Sequence, residues 1–362
     1  MKKFIALLLT VGMLALSLLA AGCSGGKGND GETAKDSGTA APVESNQSDT
    51  TGVPVESSKE TSSETEETPG SETEGEPHVP SFDTSGPWDG VNASVKWYID
   101  ADPREGYKLY TAYDFFGFSL MVNRSGLKEN IFYDEDGMVI FDTDGDGDLS
   151  DEAGYSEQNV IIGDVFQGME ILLMNDVDLN GKDWWPVGSN VSLRGYFDGQ
   201  DHTVKNFYVS TESALHHGLK TSYYYGLFGA LAYGAEVKNL TIENETLKVE
   251  LADDAKNVQA GGVASLLNSD AGGGGVISNV TVNGLTIIVS GNDVCASTPS
   301  IGAIVGVHAN TNVQSNITVN DYQLIDNYTD ETHSILTQPD NYQARDGKSE
   351  LFLNCQVNMK AS

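Results

Sequence analysis

The sequence predicts an all-β fold: a right-handed parallel β-helix (solenoid) with a short N-terminal capping helix, preceded by a disordered tether. Three observations carry that expectation. A four-residue phrase recurs six times, as Asp176-Val177-Asp178-Leu179, Asn206-Phe207-Tyr208-Val209, Asn239-Leu240-Thr241-Ile242, Asn279-Val280-Thr281-Val282, Asn316-Ile317-Thr318-Val319 and Asn354-Cys355-Gln356-Val357. The starts differ by 30, 33, 40, 37 and 38 residues, and self-similarity at such a period means a stacked unit that cannot bury its apolar face alone. Second, each phrase sets a turn-forming residue before two apolar positions spaced by one, which puts both on one face of a strand. Third, Gly226-Leu227-Phe228-Gly229, Gly262-Val263-Ala264-Ser265 and Gly302-Ala303-Ile304-Val305-Gly306 lead three of the phrases by 13, 17 and 14 residues. The gaps hold Gly, Ser, Asn and Asp without helical apolar spacing, so each unit contains at least two short strands and no crossover helix.

Coils of this kind rise about 4.8 Å each, giving a body on the order of 30 Å long for half a dozen of them. The leading asparagines suit the corners, because Asn tolerates the left-handed backbone and identical amides one coil apart can bond as a ladder. They are therefore assigned to scaffold. Counted to Cys355, the coils continue almost to Ser362, and a last coil without a cap leaves strand edges open.

In chain order, residues 1–22 look like an export signal, with Lys2 and Lys3 before an apolar run from Phe4 to Ala21. Ala20-Ala21-Gly22-Cys23 resembles the lipobox of bacterial lipoproteins. That resemblance implies that Cys23 becomes the mature N-terminus, carries lipid, and anchors the chain to the outer face of the cell membrane. A transmembrane helix fits less well, since the apolar run is at the short limit for spanning. Residues 23–80 add to that cysteine an acidic linker of Ser, Thr, Glu, Gly and Pro with almost no large apolar side chain. Such a stretch cannot offset its ordering entropy by burial, and as a flexible coil it spans on the order of 45 Å. Residues 81–165 form an N-terminal cap with an Asp-rich loop, and residues 166–362 form the repeat domain.

The formal net charge is −33. The linker holds thirteen acids and three lysines, so about −25 remains on residues 81–362. An acidic domain of this kind argues against nucleic acid or anionic lipid as a partner of the folded surface, leaving the lipid anchor as the membrane contact. Solubility accounts for most of the charge, and cation binding is compatible with it.

One cation site stands out. In Asp142-Thr143-Asp144-Gly145-Asp146-Gly147-Asp148-Leu149-Ser150-Asp151-Glu152, carboxylates alternate and Gly147 occupies the sixth position, as in calcium loops that wrap oxygen ligands around a hard cation. The twelfth position, where an EF-hand places its bidentate Glu, is Ala153. Asp142, Asp144, Asp146 and Asp148, with Asp151 closing, are the expected ligands of a structural Ca2+. An acidic solvent loop is the alternative.

Catalytic residues are harder to find. Asp198 and Asp201 flank a tight turn near Arg194 and His202, an arrangement that would suit acid-base work on a polysaccharide. Asp-Gly is also an ordinary turn signal, so no residue is assigned a catalytic role. The chain has four arginines, at 104, 124, 194 and 345, few for a lyase that must neutralise uronate carboxylates. Aromatics offer a binding alternative: Trp184, Tyr196, Tyr223, Tyr224 and Tyr225 would form a stacking surface if exposed, or core if not. Of the remaining cysteines, Cys355 sits at an inward apolar position and Cys295 in a loop. Export permits a disulfide between them, and the sequence does not decide it.

The segments Ile171-Leu172-Leu173-Met174-Asn175-Asp176-Val177-Asp178-Leu179, Trp185-Pro186-Val187-Gly188, the run from Tyr196 to Asn206, and Gly226-Leu227-Phe228-Gly229 resemble the opening of GLUG-motif proteins. Those are bacterial surface proteins with pectate-lyase-like β-helical regions. Tyr110-Thr111-Ala112-Tyr113-Asp114-Phe115-Phe116-Gly117-Phe118 is similar to the capping helix that starts such domains. The resemblance covers about residues 107–242 and implies that Trp185 packs inside. Some relatives carry a metallopeptidase domain, but this chain has no His-Glu-x-x-His, which excludes that activity. The expected function is a non-catalytic binding or adhesion module on the bacterial cell surface, with a glycan or a host or bacterial surface protein as partner. A polysaccharide lyase or hydrolase and a structural spacer or assembly component are the alternatives.

Overall fold

The computed structural model describes residues 82–251, 255–268, 273–291, 299–309, 312–327, 343–344 and 352–361. All described residues lie in one compact unit. The expected signal, Cys23 and the linker to residue 80 lie outside the described residues.

Alternating β-branched residues build a parallel β-solenoid. Tyr107–Leu109, Glu170–Leu173, Tyr196–Asp198, Glu236–Leu251, Val276–Asn283 and Gln314–Asp326 stack in that order. Gln356–Met359 pairs onto the last of them. The later part of Glu236–Leu251 turns onto a second face, between Thr203–Val209 and Thr286–Gly291. Further faces stack Ser222–Tyr225, Asn257–Gly261 and Ser300–Gly302, and Phe228–Leu231, Ala264–Leu267, Val305–His308 and Gln343–Ala344. The Gly-led phrases are the bends between these last two faces, as the strand–turn–strand spacing implies. One of them is tight enough that a Cβ at Gly262 would lie 2.6 Å from the Ala303 carbonyl oxygen, which restricts the position to glycine.

Side chains of alternate residues fill the lumen. Val237, Ile242, Leu247, Val249, Ile277, Val280, Val282, Ile287, Val289, Ile317 and Val319 are all fully buried. Each such side chain contributes roughly 1.5–3 kcal/mol relative to exposure, so the stack of aliphatic columns holds the coils together.

The helix expected near Tyr110 runs from Ala112 to Ser125. Thr111 starts it with a capping box, its Oγ1 accepting the Asp114 N–H while the Asp114 carboxylate accepts the Thr111 N–H, satisfying donors a helix start otherwise leaves open. The helix covers the first coil: the Phe115 ring stacks on Trp184 at 4.9 Å and Phe118 on Phe197 at 6.0 Å. Asn123 donates to the Pro186 carbonyl and accepts the Asn190 N–H. Among the described residues no helix is long and apolar enough to cross a membrane.

The six phrases do not form one column. Asn239, Asn279, Asn316 and Asn354 do, each donating Nδ2–H to the residue one coil below. Asn206 belongs to a second corner, below Asn244 and above Asp178. The phrase starting at Asp176 aligns instead with Thr203–Lys205. Asn206 and Asn239 lie at different corners, so their spacing of 33 falls short of a coil, whereas the spacing of 30 accompanies a shorter first coil, in which Val177 lies opposite Val204. Both corners need the same residue for the same reason, since Asn206, Asn239, Asn244, Asn279, Asn316 and Asn354 all have positive φ, between 51° and 60°.

Candidate functional site

The Asp-rich loop hangs from an antiparallel pair, Asn130–Phe132 and Val160–Ile162, between the capping helix and the first full coil. Successive aspartates close turns on their own backbone. Asp142 accepts the N–H groups of Gly145 and Gly147 through its two oxygens at 2.6 and 2.9 Å, and Asp144 accepts that of Asp146. Gly145 and Gly147 take φ of 87° and 86°, which only glycine adopts without strain. Carboxylate oxygens of Asp142, Asp144 and Glu152 lie within 4.8 Å of one another, as do those of Asp144, Asp146 and Asp151. Four of the five expected ligands thus fall in two separate three-carboxylate groups that share Asp144. Asp148 stands apart from both groups and accepts the Ser150 N–H at 2.9 Å, and its bonds to Ser150 lower its pKa. The Asp151 carboxyl is shifted upward, by local desolvation and then by the charges of Asp146, Asp144 and Asp148. Glu152, which also accepts the Thr143 hydroxyl, belongs to the first group. It falls outside the alternating pattern of aspartates, so spacing alone passes over it.

The Asp198 turn is built into the scaffold. Asp198 Oδ1 accepts Asn239 Nδ2–H at 3.0 Å and the Gln200 N–H at 2.9 Å, and its other oxygen lies 3.9 Å from Lys238 Nζ. His202 Nδ1 faces Asp176 at 3.2 Å. The Arg194 guanidinium rests on the Tyr233 ring, 4.0 Å from its centroid, and Asp201 holds a corner with φ 62°. Asp198, His202 and Arg194 thus each bind a residue of a neighbouring coil.

Most of the expected aromatic surface is inside. Trp184 and Tyr225 are fully buried, and Tyr223 and Tyr224 nearly so; the Tyr225 hydroxyl donates to Thr211 Oγ1 at 3.0 Å. A ring covered on both faces cannot stack on a ligand, which leaves Tyr196, 37% exposed. Of the two tryptophans, Trp184 is the more deeply buried, although Trp185 also packs against the core. Trp184 enters the core between Phe115 and Phe207, whereas Trp185 is half-buried against the His217 ring at 5.5 Å. Neighbours in a chain face opposite ways, and the helix contact to Trp184 decides which one is inward.

One buried ionisable residue escapes a reading of the sequence. Glu245 has no solvent exposure and neither carboxyl oxygen has a hydrogen-bond partner. A signal for it exists, because counting back by twos from the inward Val249 and Leu247 arrives at Glu245. Cys355 is half-buried with a thiol pKa raised by burial; Cys295, the other half of the expected pair, lies outside the described residues.

Comparison with known protein families, with characterised proteins and with solved structures finds no match for this chain.

Proposed function

We propose that this chain is a lipid-anchored bacterial surface protein whose solenoid serves as a non-catalytic binding or adhesion module, related to the GLUG-motif proteins. The observation that carries the binding reading is the commitment of Asp198, one of the two acids weighed for catalysis in the sequence, to the Asn239 amide and the Gln200 N–H. A carboxylate engaged in this way at a structural corner is poorly placed to shuttle protons. Fold by itself favours neither binding nor catalysis.

The ligand class is an extracellular glycan or a surface protein, met on the outward face near Tyr196, where Glu236 and Lys238 stand in register with it and with Asp198. Calcium in the Asp142–Glu152 loop is a structural ion in this reading, rigidifying the hairpin beside the capping helix. Two convergent carboxylate groups of hard oxygen ligands support it. Cys23 carries the lipid, and the linker sets the module away from the membrane.

A glycan-array screen of the full chain, with and without calcium, tests the function. Binding to one glycan class, weakened by Tyr196→Ala, is the expected result. Depolymerisation of a glycan with turnover would overturn it in favour of an enzyme. For the anchor, metabolic labelling with a fatty acid should mark the wild-type chain and leave Cys23→Ala unmarked.

A further inference from the structure

The corner that follows Asn206 and Asn244 repeats up the solenoid as a column of inward residues. Phe207 pairs in register with Glu245. Leu285 precedes Thr286, the partner of Thr246, and Tyr322 precedes Gln323, the partner of Thr286. Each of the four follows a residue with positive φ, namely Asn206, Asn244, Gly284 and Asp321. Phe207, Leu285 and Tyr322 are buried, so the position is built for an apolar side chain, and one coil fills it with a carboxyl group.

No opposite charge among the described residues faces that group. On its own strand Glu236, Lys238, Glu243, Lys248 and Glu250 all occupy exposed or partly exposed positions. On Thr203–Val209 the ionisable residues are Lys205 and Tyr208, both partly exposed, with Lys248 Nζ lying over the Tyr208 ring at 3.4 Å. Thr286–Gly291, Val276–Asn283 and Asn257–Gly261 have no ionisable residue. On the neighbouring Ser222–Tyr225 strand, Tyr225 is bonded to Thr211, and on Thr211–Ala214 the acid is Glu212, exposed. On Gln314–Asp326 the acids are Asp321 and Asp326, also exposed.

We propose that Glu245 is a pH-responsive element of the solenoid: folding takes up one proton from solvent at its carboxyl group, and the stack loosens as pH rises. An isolated carboxylate in an apolar lumen is far more costly than the neutral acid. Burial accordingly pushes the Glu245 pKa well above its ordinary 4.5. The sign follows. Below 4.5 the residue is protonated whether folded or not and imposes no ionic penalty; above that value the unfolded chain releases the proton and the folded chain retains it, so stability declines until the folded pKa is passed. A salt-bridged carboxylate gives the opposite slope.

Urea unfolding of the full chain at pH 5, 6, 7 and 8, comparing wild type with Glu245→Gln, tests this. The surface acids are common to both proteins, so their repulsion cancels in the ratio of unfolding constants. That ratio, wild type over variant, should grow by up to about tenfold per pH unit. A ratio independent of pH overturns the proposal. Glu245→Leu supplies the same comparison should the amide fail to fold. A carboxyl-carbon NMR titration of wild type gives a direct reading: a Glu245 signal moving near its ordinary value of 4.5 overturns the proposal, and one unmoved through about pH 6 supports it.

Discussion

Asn239 donates its Nδ2–H to Asp198 Oδ1 at 3.0 Å, which fixes a carboxylate at the foot of an amide ladder. Asn279, Asn316 and Asn354 continue it upward at 3.1, 3.0 and 3.2 Å. Every rung combines a side-chain hydrogen bond with a left-handed corner, and the two contributions are separable by mutation.

Asn279→Gly keeps the corner (φ 53°) and removes the amide bonds to Asn239 and Asn316, a loss of about 1–2 kcal/mol. Asn279→Ala adds the left-handed penalty of an ordinary side chain, about 1 kcal/mol more. Urea denaturation measures both, and equal losses in the two variants would show that the backbone conformation contributes nothing.

Gly262→Ala places a methyl group 2.6 Å from the Ala303 carbonyl oxygen, and backbone offers it little room to yield. A destabilisation of about 3 kcal/mol is expected. Gly86→Ala, where nothing lies within 4 Å of the new Cβ, should stay within about 0.5 kcal/mol of wild type. Thermal melts of the two variants provide the comparison.

Burial pushes the Tyr322 hydroxyl up to about 12 from its ordinary 10.0. Between those values the unfolded chain loses the proton and the folded chain keeps it, so stability contributed by this residue is complete below pH 10 and is lost as pH rises toward 12. Tyr322→Phe should flatten that part of the alkaline stability profile. An unchanged profile in the variant would mean that Tyr322 is not responsible.

Calcium should raise the melting temperature of the wild-type chain, through preferential binding to the folded state, and a chelator should reverse the rise. Asp142→Ala combined with Asp146→Ala should abolish the response, and Glu152→Gln should weaken it. Asp148→Asn should leave it largely intact, because Asp148 lies outside both carboxylate groups. A double variant that responds like wild type places the ion elsewhere.

The architecture is legible because its signal is local and repeated: Asn with positive φ followed by alternating aliphatics recurs at Asn239, Asn279 and Asn316, one corner of successive coils. The assignment of particular corners is less so. Asn206 and Asn239 carry similar wording but sit at different corners, and only the strand register, Thr241 opposite Thr203, separates them. At the Asp-rich loop, alternation points to Asp142, Asp144 and Asp146, with Asp151 closing, whereas Glu152 enters through the fold of the loop back on itself. Trp184 and Trp185 cannot be told apart by neighbour chemistry, since the capping helix, distant in sequence, chooses between them. Glu245 is hidden because an acidic residue between Asn and Thr looks like turn surface until its strand is continued to Leu247 and Val249.

In the ladder that begins at Asp198, each coil presents an amide N–H downward and an amide oxygen upward, with steps of 40, 37 and 38 residues between rungs. A coil is therefore both a copy of its neighbour's socket and a fit to it. Adding or removing one whole coil would leave an amide-to-amide rung at the new junction, with the Asp198 foot untouched. As far as this ladder is concerned, the solenoid can change its length in whole coils without leaving an amide unpaired.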